Sequence, residues 1–91
     1  MFHLRRSMAE TEVHEKLGRV LVRYEGGKID PLEFRWGTRD LAVRSVNARW
    51  VDRATRPIKY FFSVMTASGE VMVLSHREGE PIWYIESVLV V

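Results

Sequence analysis

After Gly18 the chain alternates between apolar and polar residues, which is the pattern of half-buried strands. The first alternating segment contains Val20, Val22 and Tyr24, and the Gly26-Gly27 pair that follows favours a tight hairpin turn. Further segments rich in aromatic and β-branched residues follow, separated by short polar turns. The pattern predicts six strands, at residues 20–24, 32–36, 41–51, 58–66, 71–76 and 82–91.

The short connections decide how these strands pair. Parallel strands need crossovers of about a dozen residues or more, and no such connection separates the six segments. The sheet is therefore expected to be antiparallel. Six short strands in so small a chain predict an all-β fold of five to six strands. It is expected to be either a small barrel of the SH3-like or a related type, or a coiled sheet.

The third and longest segment changes its parity partway along. Two sets of apolar residues occupy alternate positions there: Leu41 and Val43, then Val46, Ala48 and Trp50. Strict alternation would put the two sets on opposite faces of the sheet. A bulge near Arg44-Ser45 would bend the strand and restore one apolar face, with Trp50 in the core. The alternative is a loop that divides the segment into two strands.

The first sixteen residues lack this alternation. Glu12 and Lys16 are spaced to support a helical turn by a few tenths of a kcal/mol, but an isolated helix this short is marginal in water. We expect residues 1–16 to form a frayed tail or a short helix over residues 11–17, and residues 17–91 to form a single small β domain. Charged residues follow Arg5 and Arg6, so no export signal is predicted.

Composition limits the function classes. The chain has 91 residues, 46% of them hydrophobic, which suits one globular domain. It has no cysteine, which excludes disulfide scaffolds, thiolate zinc sites and cysteine nucleophiles and fits a reducing cytoplasm. No apolar run approaches the roughly 20 residues of a membrane helix, so no membrane partner is expected.

Motifs of catalysis are missing from the sequence. It has no glycine-rich phosphate loop, no His-Glu-x-x-His pair and no nucleophile elbow. His76, Glu78 and Glu80 would share a face on a strand, but Gly79 and Pro81 indicate a turn there. We therefore predict a non-enzymatic protein with no catalytic residues, no metal site and no cofactor.

The distribution of charge is more informative than the net charge of +2. Residues 35–59 carry seven cations and two anions, a net +5, while the rest of the chain carries −3. Six of those cations are arginines, which bind phosphate through planar, bidentate contacts. The sequence thus predicts a nucleic-acid-binding basic stripe along the third strand and its flanking loops, formed by Arg39, Arg44, Arg49, Arg53 and Arg56.

Two alternatives accompany the basic stripe. The arginines could instead form a solvated face whose methylene stems cover apolar surface. Trp36, Trp50 and Tyr60 could stack on unpaired bases at its edge, or fill the core.

The last segment suggests a different class of function. Residues 82–91 contain one charge, Glu86, and residues 87–91 are apolar on both parities. A strand of this kind aggregates unless it is covered, so it is central in the sheet, covered on one face by a helix over residues 11–17, or part of an interface. The alternative prediction is a protein-interaction or homodimerisation module that uses Val88, Leu89 and Val90.

The spacing of aromatic residues also resembles a known family. The matching positions are Phe34-Arg35-Trp36-Gly37, Val43, Val46, Trp50, Tyr60-Phe61, Gly69 and Trp83-Tyr84-Ile85. Over residues 18–89 the chain resembles small uncharacterised bacterial β-domains with an aromatic-Arg-Trp motif, a long strand ending in Trp and a late Trp. Some members look like neighbours of DNA-repair polymerases. The resemblance implies a β fold and a lean toward nucleic acid, and it implies no catalytic residues.

Overall fold

A computed structural model describes residues 9–90, without the side chains of Ala9 and Val90. These residues form a single antiparallel sheet of seven strands. The strands are β1 (Ala9–Lys16), β2 (Val20–Glu25), β3 (Lys28–Trp36), β4 (Arg39–Asp52), β5 (Lys59–Thr66), β6 (Val71–Arg77) and β7 (Trp83–Val90). Their order across the sheet is β1-β7-β6-β5-β4-β3-β2. The described residues contain no helix, and so none long and apolar enough to cross a membrane.

The all-β antiparallel fold is confirmed, and the six predicted strands correspond to β2 through β7. The seventh strand is β1, in the segment where a frayed tail or a short helix was expected. β1 pairs with β7 from Ala9 opposite Val90 to Lys16 opposite Tyr84. This pairing supplies hydrogen-bond partners along most of one edge of β7, which outweighs the few tenths of a kcal/mol from one helical charge pair.

The sheet is not closed into a barrel. β1 and β2 lie at its two edges and do not pair with each other. The short linker between them contacts both sides instead. Leu17 N donates to Trp83 O at 2.9 Å, and Gly18 N donates to Arg35 O at 2.8 Å. The chain therefore passes from one edge of the coiled sheet to the other at this linker, and the predicted barrel closure is wrong.

The core lies against one face of β5, β6 and β7, here called the core face, whose reverse is the outer face. Its buried apolar residues are Leu17, Phe34, Leu41, Phe62, Val64, Met72, Leu74, Trp83 and Ile85. Phe34 from β3 and Leu41 from β4 cover the core face, because the bent sheet brings these strands over it. The sheet thus supplies both layers of its own core.

β4 bends through two bulges. Its register with β5 shifts between Val43 and Ser45, at the predicted position, and again between Val46 and Ala48. Each extra residue reverses which face the following side chains occupy. Trp50 therefore lies opposite Phe61 on the outer face, with 44% of its surface exposed. The prediction of Trp50 in the core is wrong because the second bulge undoes the parity restored by the first.

Candidate functional site

The five predicted arginines do not form one stripe. Arg39 begins β4, while Arg53 and Arg56 lie in the loop that follows its end. The strand has 14 residues, so at about 3.3 Å per residue roughly 45 Å of chain, measured along the bent strand, separates the two groups. Arg39 and the two loop arginines thus lie at opposite ends of β4.

The two arginines within β4 lie on opposite faces. Arg44 Nη1 approaches Met65 Sδ at 4.0 Å, beside the outer face. Arg49 pairs with Phe62, which puts its side chain on the core face. The bulge between Val46 and Ala48 separates the two arginines and causes the difference. The outward-facing stripe predicted from one bulge is therefore wrong.

Carboxylates neutralise most of the positive segment. The ion pairs are Arg35 with Asp40 at 3.5 Å, Arg39 with Glu70 at 2.9 Å, Lys59 with Glu86 at 3.4 Å, and Arg49 with Asp30. Three of these carboxylates come from outside residues 35–59. Among the described residues, no carboxylate pairs with Arg44, Arg53 or Arg56. These three arginines carry the uncompensated positive charge.

The Arg39 side chain connects the start of β4 to the turn between β5 and β6. Its hydrogen bond to Glu70, with a further bond from Ser68, holds the pKa of Glu70 below its ordinary value. Arg39 belongs to the start of β4, and Glu70 to the turn between β5 and β6. Arg39 is thus occupied by a structural contact.

The loop over residues 53–58 is held by its own polar groups. Asp52 Oδ1 accepts a hydrogen bond from Ala54 N at 2.9 Å. Arg56 Nη1 donates to Arg53 O at 2.8 Å and to Thr55 O at 3.0 Å. The guanidinium of Arg56 therefore folds onto the loop, while Arg53 projects from it with no side-chain partner in the described part of the chain.

A pocket opens beside this loop, where the β2–β3 hairpin meets the ends of β4, β5 and β6. We call it the open-end pocket. It encloses about 420 Å³, and its principal side chains are Tyr24, Lys28, Arg49, Tyr60, Phe62 and His76. The loop begins one residue pair beyond Val51 and Tyr60, at Asp52 and Lys59. The loop that carries Arg53 and Arg56 is therefore joined directly to the strand ends that line the pocket.

Asp30 fixes the cation in the pocket wall. Partial burial raises the pKa of Asp30. Hydrogen bonds and charge from Arg49, and then from Arg23, lower it by more than burial raises it, so the pKa of Asp30 lies below its ordinary value. The ionised carboxylate accepts from one nitrogen of Arg49. A guanidinium has five N–H donors, so Arg49 is positioned and still has donors to offer.

Aromatic rings supply the rest of the pocket. Tyr24 is 74% exposed at the end of β2, and Tyr60 lies half-buried opposite His76. The His76 ring stacks on Trp83, with 4.9 Å between centroids. A flat ring carrying an anionic group suits this combination of aromatic surfaces and cations.

Trp50 is part of the lining of the open-end pocket, although its ring lies on the outer face opposite Phe61, and Trp36 is not part of that lining. Trp50 stacks on Phe61 on the outer face, beside a carboxylate-rich groove of about 600 Å³ formed with Glu10, Glu12 and Glu86. Those carboxylates repel phosphate. Trp36 is half-buried, and its Nε1 donates to Glu15 Oε1 at 2.9 Å.

The predicted C-terminal interface lies inside the sheet. β7 pairs with β1 on one edge and with β6 on the other, so neither edge is free to pair with a second copy. Val88 is half-buried and packs against the core, and Leu89 is half-buried between Glu10 and Val71. The side chain of Val90 lies outside the described residues. Of the alternatives for this segment, the strand inside the sheet is the one found.

Sequence reasoning missed Tyr24, Lys28 and His76 as members of the pocket. Tyr24 and Lys28 flank the Gly26-Gly27 turn, where their residue types give no sign of what their side chains face.

No group of His, Asp or Glu side chains within residues 9–90 could hold a metal ion. No known protein family, curated protein or solved structure matches the chain. The pocket's own chemistry therefore carries the functional argument.

Proposed function

We propose that this chain is a non-enzymatic module that binds single-stranded nucleic acid at the open-end pocket and the adjoining loop over residues 53–58. The observation that carries the proposal is the meeting of aromatic and cationic side chains at one concave surface. Single-strand binding sites combine these two features.

In this proposal an unpaired base stacks on Tyr24 or Tyr60. Base–aromatic stacking of this kind contributes about 1–3 kcal/mol per base. Lys28, Arg49 and Arg53 contact the neighbouring phosphates. A small concave pocket favours an unpaired base over a duplex, whose bases are stacked and inaccessible.

The proposed interface keeps three of the five arginines predicted from the sequence. Arg49 lines the pocket, and Arg53 and Arg56 belong to the loop beside it. Arg39 is occupied by Glu70, and Arg44 lies in the first half of β4, beside Met65 of the outer face. The resemblance to the bacterial β-domains leans toward the same ligand, and a cytoplasmic location belongs to the same proposal.

Charge reversal at matched positions tests this function. Arg53→Glu and Arg44→Glu each reverse one exposed cation with no carboxylate partner among the described residues. We expect Arg53→Glu to weaken binding of a fluorescent single-stranded oligonucleotide at least tenfold, or about 1.4 kcal/mol, in an anisotropy titration. Arg44→Glu should change it less than threefold. Equal effects of the two variants, or no effect of Arg53→Glu, would overturn the proposed interface.

A further inference from the structure

β2 presents a free apolar edge. It ends the sheet and pairs only with β3. Residues 21–25 are all exposed, and Val22 retains 40% of its surface. An edge strand offers unpaired N–H and C=O groups to any other strand that can reach them.

The other edge of the sheet is protected in a way that β2 is not. β1 carries charged or polar side chains at Glu10, Glu12, Glu15 and Lys16, and a register shift between Glu12 and Glu15 interrupts its pairing. Charges and bulges of this kind prevent edge-to-edge association. β2 instead begins with Val-Leu-Val and carries no charge before Arg23. Its pairing with β3 also shifts register, between Leu21 and Val22, but the extra residue there is Leu32 of β3, so β2 itself has no inserted residue.

Val20, Val22 and Tyr24 lie on the core face of β2 and continue the apolar core toward the end of the strand, where the other strands no longer cover it. Val20 lies opposite Phe34, and Val22 opposite Pro31, both of which are buried. Val20 packs against the core, whereas Val22 and then Tyr24 become progressively more exposed. The core face of β2 therefore lacks a cover at its outer end.

We propose that a second copy of this chain pairs with β2, antiparallel, on a two-fold axis through Val22. In this register Val22 faces its own copy, and Val20 faces Tyr24 of the second copy. Arg19, which is 61% exposed, then lies opposite Glu25, which is 77% exposed. The symmetry forms each of these pairs twice.

The side chains select this register over its neighbours. Aromatic residues opposite β-branched residues, and opposite charges across strands, each stabilise a sheet by about 0.2–1 kcal/mol. Moving the axis to Arg23 would place two arginines directly opposite each other and lose the pairing of Arg19 with Glu25. Moving it by half a residue would join the core face of one copy to the outer face of the other.

A cysteine at the axis tests the register directly. The chain has no cysteine of its own. Opposed residues in antiparallel strands have Cα atoms about 4.5–5.5 Å apart, which suits a disulfide. We expect Val22→Cys to form a covalent dimer under mild oxidation, and the exposed control Thr38→Cys to stay monomeric. Crosslinking of both variants alike, or of Arg23→Cys in preference to Val22→Cys, would overturn the register.

Sedimentation velocity tests the association itself. The wild-type protein should pass from 10.7 kDa toward twice that mass as its concentration rises. Val22→Lys places two like charges on the axis and should raise the dimer dissociation constant at least tenfold. Ile82→Lys, at an equally exposed apolar position in another part of the fold, should leave it unchanged. A wild-type protein that stays at 10.7 kDa up to about 0.5 mM would overturn the proposal.

Discussion

Tyr24 is the residue on which the proposed stacking depends most. Its ring is the most exposed large apolar side chain of the described residues, so its removal costs the fold little. We expect Tyr24→Ala to weaken single-strand binding about 5- to 150-fold, in line with 1–3 kcal/mol per stacked base. Tyr24→Phe keeps the ring and should retain binding within threefold. Equal losses in both variants, measured by anisotropy, would exclude stacking as the cause.

Glu86 is the residue that ties the outer face together. It accepts hydrogen bonds from Ser75 and His14, and Lys59 Nζ lies 3.4 Å from its carboxylate. Burial raises the pKa of Glu86. The hydrogen bonds from Ser75 and His14 and the charge of Lys59 lower it by more than burial raises it, so the pKa of Glu86 lies below the ordinary 4.5. The ionised carboxylate therefore links β7 to β1, β5 and β6.

This arrangement predicts a pH-dependent contribution to stability. A carboxyl group with a lowered folded-state pKa stabilises the fold above its unfolded pKa, near 4.5, and the contribution is lost as the pH falls through the folded value. Glu86→Gln should cost about 1 kcal/mol at pH 7 in urea unfolding. The difference from wild type should shrink as the pH falls below 4.5. A difference that stays constant between pH 7 and pH 3 would contradict this role.

At the level of elements, β7 is a central strand, and this changes what its apolar residues do. Val88→Lys puts a charge against the core, since Val88 packs against the buried cluster. We expect it to lower the free energy of unfolding by about 2–3 kcal/mol in chemical denaturation. Ile82→Lys, at an exposed position, should cost under about 0.5 kcal/mol. A Val88→Lys variant of unchanged stability and lower oligomeric mass would restore the C-terminal interface.

The strands also show which structural features a local sequence pattern can predict and which it cannot. Alternation predicted β2 through β7, because each has its own apolar positions. β1 could not be predicted in this way, because its partner β7 lies more than sixty residues along the chain. The first bulge in β4 was visible as a change of parity, whereas the second left no signal in Val46-Asn47-Ala48. The extra residue of this second bulge put Arg49 on the core face and Trp50 on the outer face.

The candidate site is a property of the whole molecule. The open-end pocket joins residues from Tyr24 to Gly79, which come together only through the bend of the sheet. The charge count correctly marked residues 35–59 as basic. It could not show that Asp30, Glu70 and Glu86 approach that segment from elsewhere. Local composition thus suggested an anionic ligand as a hypothesis, while the tertiary ion pairs determine which cations have no carboxylate partner among the described residues.

The most direct test of the account is the salt dependence of single-strand binding by the wild-type protein. Three phosphate contacts, from Lys28, Arg49 and Arg53, predict that log affinity falls with log salt at a slope of about −2. A duplex of the same sequence should bind at least tenfold more weakly. A flat salt dependence, equal affinity for the duplex, or no binding at about 50 mM salt and tens of micromolar protein would contradict the proposed function.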